Sequence, residues 1–167
     1  VPTCLRHGEP LYDAPLAHAD VHDRIQRFYH PYHHMLEQLI HEARSHFPQV
    51  LVLDLHSMPP LQPKSWLQPA PRVVIGDKFG TACHPQFSDA VQRFMRANGL
   101  RVAMNYPFSG GHITQRHASP IRGVNLLQIE LCRSLYLQSP DCRMKSPRFG
   151  NMQRLIAALS RQLLEAL

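Results

Sequence analysis

The stretch Val50–Pro59, VLVLDLHSMP, decides the fold class. Val50, Leu51, Val52, Leu53 and Leu55 are strand formers, and a run apolar on both faces reads as a buried strand of parallel type. Asp54, His56 and Ser57 then fall at its carboxyl end, and Pro59 and Pro60 stop any further ladder. Open α/β sheets keep their binding crevices at strand ends, because helices cover both faces. An imidazole there is a candidate zinc ligand or general base, and an acid two residues earlier is placed to orient it.

Working outward, the same pattern recurs. Arg72–Ile75, Leu100–Met104 and Val124–Leu131 read as three more strands, and Phe87, Val91, Phe94 and Met95 mark a helix that Gly99 closes. A final amphipathic helix carries Met152, Leu155, Ile156, Leu159 and Leu163 on one face. Upstream, Asp20 is the expected cap of a helix whose apolar stripe includes Ile25, Phe28, Tyr29, Tyr32, Leu36 and Leu39, with Pro31 kinking it. In that stripe Tyr32 is expected in the core and His33 on the helix surface, or else the kink points the Pro31-Tyr32-His33 group into a site. Residues 1–18, the proline-rich 59–71 and residues 105–120 read as loops, and 139–148 as a polar, basic segment. The alternation predicts an α/β fold, a three-layer α/β/α sandwich on a mixed, mostly parallel sheet. At 167 residues one domain, 1–167, is expected.

Composition narrows the function. No stretch approaches the roughly 20 apolar residues of a membrane span, and no signal-peptide core is visible. Cys4, Cys83, Cys132 and Cys142 show no CxxC spacing, which argues against a zinc ribbon and for reduced thiols in a cytoplasmic protein. Residues 84–167 hold 11 Lys and Arg against 4 Asp and Glu, whereas residues 1–83 hold 7 against 8. The basic residues are scattered singly and match no nucleic-acid motif, so the charge fits a small anionic substrate better than DNA or RNA. Oligomeric state is not legible.

Four strand ends deliver His56, Asp77, Asn105 and Glu130, and the reading expects them around one crevice. Glu130 sits among leucines and isoleucine, where a carboxylate costs several kcal/mol unless partnered. It suits a proton carrier in amide hydrolysis, with an ion pair to Arg133 or Arg122 as the alternative. Gly110 and Gly111 permit close approach of backbone to a substrate. Lys78, Arg116 and Arg122 are candidates for holding a substrate carboxylate.

LDLHSMP, VVIGDKFGTAC, NYPFSGGHIT and LLQIELCRSLYL follow one another here as they do in N-formylglutamate amidohydrolases, which the chain resembles over about residues 5–140. The upstream RIQRFYHPYHHML is similar to that family's helix. The resemblance implies a zinc-carboxypeptidase-like fold and hydrolysis of N-formyl-L-glutamate to formate and glutamate, a step of histidine degradation. It implies zinc as cofactor, His56 as a zinc ligand and Glu130 as the catalytic glutamate. Asp77, Lys78, Asn105, Gly110 and Gly111 would line the substrate pocket. The family's other two zinc ligands, a His and an acid, are expected upstream of residue 1, making this chain the C-terminal part of a larger catalytic domain. Lys78 replaces a common Arg, and Leu137-Gln138 replaces Met-Asp. His33, His112 and His117 are the candidates for substitute ligands. Two other readings remain: a non-catalytic remnant, or a metallohydrolase acting on another N-acyl amino acid or peptide amide.

Overall fold

The computed structural model describes residues 2–5, 8–63, 65, 67–137 and 147–165; Lys64, Trp66, Cys142 and most of the 139–148 segment lie outside them. These residues gather into two compact units, Val1–His46 and Phe47–Leu167, where the sequence reading treated the chain as one domain.

The first unit is helical. α1 (His18–Arg24) runs through a π-helical turn (Ile25–Tyr29) into α2 (His30–His46). The cause is Pro31, which has no N–H to give to an α-helical ladder. The chain widens one turn ahead of it, and the His30 N–H reaches Ile25 O instead. Asp20 is not the cap: the helix starts earlier, after Ala17, and Asp20 lies in its first turn, where a carboxylate favours the helix dipole. The expected roles of Tyr32 and His33 are exchanged. His33 is 4% exposed and stacks on Tyr29 with ring centroids 4.3 Å apart, while Tyr32 is 54% exposed. The wider π turn shifts the register of the stripe, which explains why simple helical spacing misplaced them.

The second unit holds β1 (Val50–Met58), β2 (Val73–Gly76), α3 (Pro85–Ala97), β3 (Val102–Met104), α4 (His112–His117), β4 (Val124–Cys132) and α5 (Pro147–Leu164). The strands form one mixed sheet in the order β1-β4-β2-β3. β1 and β4 are parallel from Val50↔Val124 to Met58↔Cys132, and β2 and β3 are parallel, whereas β2 meets β4 antiparallel. All nine residues of β4 are buried.

The period-two alternation of strands sorts the sheet into two faces. Leu51, Leu53, Val73, Ile75, Leu127, Ile129 and Leu131 share the apolar face and pack with Phe87, Val91 and Met95 of α3 and Leu159 and Leu163 of α5. These are the helix positions expected from the sequence. His84 caps α3, its Nδ1 accepting from Gln86 N at 3.3 Å, and Pro85 fills the first turn, where a missing N–H costs nothing. Gly99, at φ +75°, closes the helix as expected. On the opposite face Met58, Val74 and Cys132 form a small apolar cluster with Leu61, Ala103 and Phe108, Val124 and Leu126 are buried at the other end, and Asp54, His56, Gln128 and Glu130 make the stretch between them polar.

The antiparallel β2–β4 pairing corrects one expectation. His56 and Glu130 are register partners at the carboxyl end of their strands, but Glu130 stands opposite Val74, near the start of β2. Asp77 and Asn105 follow the other ends of β2 and β3. Asp77 lies three residues and Asn105 two residues further along, about 10 and 7 Å from Glu130 in the strand direction. The four residues therefore do not meet as neighbouring strand ends.

Phe87 is fully buried between the sheet and α5, and Ile121 is 96% exposed. Phe87→Ala is expected to lower unfolding free energy by about 3–5 kcal/mol, and Ile121→Ala to leave it within about 0.5 kcal/mol, by denaturant titration.

Candidate active site

On the polar face, Asp54 and His56 of β1 lie beside Gln128 and Glu130 of β4, as the register pairs Asp54↔Gln128 and His56↔Glu130 require. Within each strand the two side chains meet. Asp54 Oδ1 lies 3.0 Å from His56 Nε2, and Gln128 Nε2 donates to Glu130 Oε1 at 2.9 Å. Gln128 and Glu130 are 5% and 7% exposed. The partner of the buried carboxylate is thus a neutral amide two residues back, rather than Arg133 or Arg122. Arg122 precedes the start of β4, and the six strand steps from Val124 to Glu130 span about 20 Å, which no side chain bridges.

The loop carrying Gly110 and Gly111 lies against this face. A Cβ on Gly76 would stand 2.5 Å from Gly110 N and 2.6 Å from Ser109 C, so the loop rests directly on the β2 backbone. A Cβ on Gly111 would stand 3.1 Å from Gln128 Oε1. Gly76 and Gly111 are therefore required for close approach, and the approach is to protein, loop against β2 and loop against Gln128.

Asp77 and Asn105 are placed by a different requirement. The turn after β2 carries Lys78 and Phe79 at φ +54° and +57°, and Asn105 itself sits at φ +59°. Asn105 Oδ1 accepts from Asp77 N and Phe79 N at 3.1 and 3.3 Å, and its Nδ2 donates to Asp77 Oδ1 at 2.7 Å. Gly80 N donates to the same carboxylate oxygen at 3.0 Å. These bonds hold the left-handed turn, so both side chains act as its scaffold. They present Lys78 at a cleft of about 320 Å³, lined also by Thr81, Ala82, Thr114, Gln115 and Ala118. Arg116 is exposed on α4 and is not among the lining residues. Lys78 and Thr114 both pack on Gly110, so the cleft and the Gln128–Glu130 pair lie along one glycine loop.

Burial, and next the charge of Asp77, push the Cys83 thiol up to about 12. It stays protonated at neutral pH and supplies neither nucleophile nor metal thiolate.

The Asp54–His56 pair has the form of a carboxylate-oriented metal ligand, with the acid on Nε2 and Nδ1 left for a metal. Catalytic zinc takes three protein ligands. Among the described residues no three or more His, Cys, Asp or Glu side chains gather to hold a metal ion. The described donor set fits one arm of a zinc site and not a complete one.

Gln128, Thr114 and Thr81 were not singled out from the sequence. Gln128 had a signal: in NLLQIELC the two polar residues fall at the same strand parity, as Asp54 and His56 do in LDLHS.

The N-formylglutamate amidohydrolase family profile matches residues 1–137. The chain belongs to that family. It is 28% identical to the N-formylglutamate deformylase of Pseudomonas putida over 143 residues, covering 84% of this chain and 54% of that protein. With the N-formylglutamate deformylase of Pseudomonas aeruginosa PAO1 it shares 26% identity, covering 99% of this chain and 62% of that one. Its fold matches the crystal structure of an N-formylglutamate amidohydrolase from Ralstonia eutropha JMP134 at a TM-score of 0.87 and 34% identity, over 98% of this chain and 60% of that one. A gene product of Agrobacterium tumefaciens shares the fold at a TM-score of 0.65 and 19% identity. The chain thus spans between 54% and 62% of the length of these relatives. The expected α/β class and mixed sheet of the N-formylglutamate amidohydrolases are what the structure has.

Gly76→Ala is expected to force the 108–110 backbone off β2, because the contacts at 2.5 and 2.6 Å are with main chain. A loss of about 1–3 kcal/mol in a denaturant titration is the expected result.

Proposed function

We propose that this chain carries amide-hydrolysing machinery of the N-formylglutamate amidohydrolases, releasing formate and L-glutamate from N-formyl-L-glutamate. The observation that carries the reading is Glu130: a carboxylate buried on a central strand, held by Gln128, beside a glycine loop that leads to Lys78. Family membership and the relatives' names support the substrate.

Glu130 takes a proton from water as the oxygen attacks the formyl carbon. The tetrahedral adduct collapses when the protonated Glu130 returns that proton to the amide nitrogen and the C–N bond breaks. Lys78 supplies the cation for a glutamate carboxylate, and the Gly110–Gly111 backbone admits the substrate beside Gln128. Zinc remains part of the proposal only through His56, as one ligand by Nδ1, and no step above depends on it. Arg116, exposed on α4, stays a candidate for anion attraction rather than direct contact.

The incomplete donor set favours one second reading, in which the chain binds an N-formyl amino acid without turning it over. Steady-state formate release separates the two. Under the first, Glu130→Gln lowers turnover by several orders of magnitude while the chain still binds N-formylglutamate by calorimetry. Unchanged turnover in that variant would sink the role of Glu130. Under the second, the unaltered chain binds but releases no formate. Elemental analysis of the purified chain tests the His56 arm: about one zinc per chain, lost in His56→Ala, is expected if further ligands complete the site, and a metal-free chain if His56 is the one arm it carries.

A further inference from the structure

We infer that Gln128 is a positioning residue for Glu130, and that Gly111 is glycine to leave room for it; this rests on the reading of Glu130 as the proton carrier. A carboxylate only accepts hydrogen bonds, so the amide must turn its NH₂ toward Glu130, as it does at 2.9 Å. The same orientation sends Gln128 Oε1 toward Gly111, where it is buried with no hydrogen-bond partner among the described residues. An orphaned buried carbonyl is a standing cost to stability, and an apolar side chain of the same length would remove it. What an apolar side chain cannot do is hold the carboxylate in one orientation. His56 and Asp54 also face Glu130 from β1, but they bond to each other, and β2 offers only Val74 and Gly76. Gln128 is therefore the group that fixes the direction of the Glu130 oxygens, at the expense of its own carbonyl.

A residue kept for stability alone and one kept for positioning differ in whether kcat falls while KM holds. Gln128→Met keeps the length, removes the orphan and leaves the Glu130 carboxylate without its donor. The expected result is a kcat lower by on the order of 10²-fold for a displaced catalytic group with an unchanged KM, and a lower Tm from the unpartnered carboxylate. In a Glu130→Gln background the same change is expected to cost no further kcat. Gly111→Ala, whose backbone is extended and tolerates alanine, is expected to displace Gln128 by a few tenths of an ångström and to lower kcat in the same direction but by less than Gln128→Met. The double variant should then be no worse than Gln128→Met alone, because both changes act through one contact. Normal kcat in Gln128→Met, or a kcat loss that persists undiminished in the Glu130→Gln background, overturns the inference while leaving the Glu130 reading standing. If Glu130→Gln keeps its turnover, or the unaltered chain releases no formate, the Glu130 reading fails and this inference fails with it.

Discussion

The structure depends on β4 being buried along its whole length between two neighbours. A central strand with helices packed on one face and the glycine loop pressed on the other gives its side chains little access to water. Its polar groups draw most of their partners from inside the protein. Asn125 does so at one end, accepting from His84 N and donating to Gln49 Oε1. Gln128 and Glu130 do so with each other. The position of the carboxylate, the shape of the glycine loop and the identity of its neighbours all follow from that confinement.

Strand direction then determines what shares a site. Because β2 runs antiparallel to β4, residues that close β2 and β3 stand apart from those that close β1 and β4. The chain bridges that separation with the 105–111 segment. Asn105 anchors one end by fastening the 77–80 turn, and Gly110 and Gly111 lay the other against Gly76 and Gln128. One loop thereby connects a buried carboxylate to a half-buried lysine, two groups that the sheet alone would keep apart.

Much of this was legible in the chain itself. Strand-type runs, the α3 stripe closed by Gly99 and the leucine face of α5 are local patterns, and local physics suffices to read them. His56, Glu130 and the glycine pair draw attention because charged or flexible residues stand out against apolar neighbours. Strand order was not legible, since nothing in VVIG states whether its partner runs with it or against it. α4 was read as loop because HITQRH is too short to show a helical period. Asp77 and Asn105 drew attention as polar strand-end residues, yet their bonding is spent on a left-handed turn. A lone sequence cannot separate a carboxamide that holds backbone from one that faces a ligand.

Gln128 shows where such reading stops for a deeper reason. A glutamine on a buried strand looks like a flaw, and with its carbonyl unpartnered it is one by the measure of stability alone. The flaw has a direction, however. Rotating the amide would satisfy neither the carboxylate nor the strand, and shortening it to asparagine would withdraw the N–H from Glu130. Replacing it by leucine would leave the buried carboxylate without its donor. Only a residue with the length of glutamine and one spare acceptor meets the carboxylate from two positions back on the same strand face. The spare acceptor then needs a neighbour without a side chain, and Gly111 is that neighbour. Stability is conceded at one atom so that another is held still, which is the compromise expected where a fold serves a reaction.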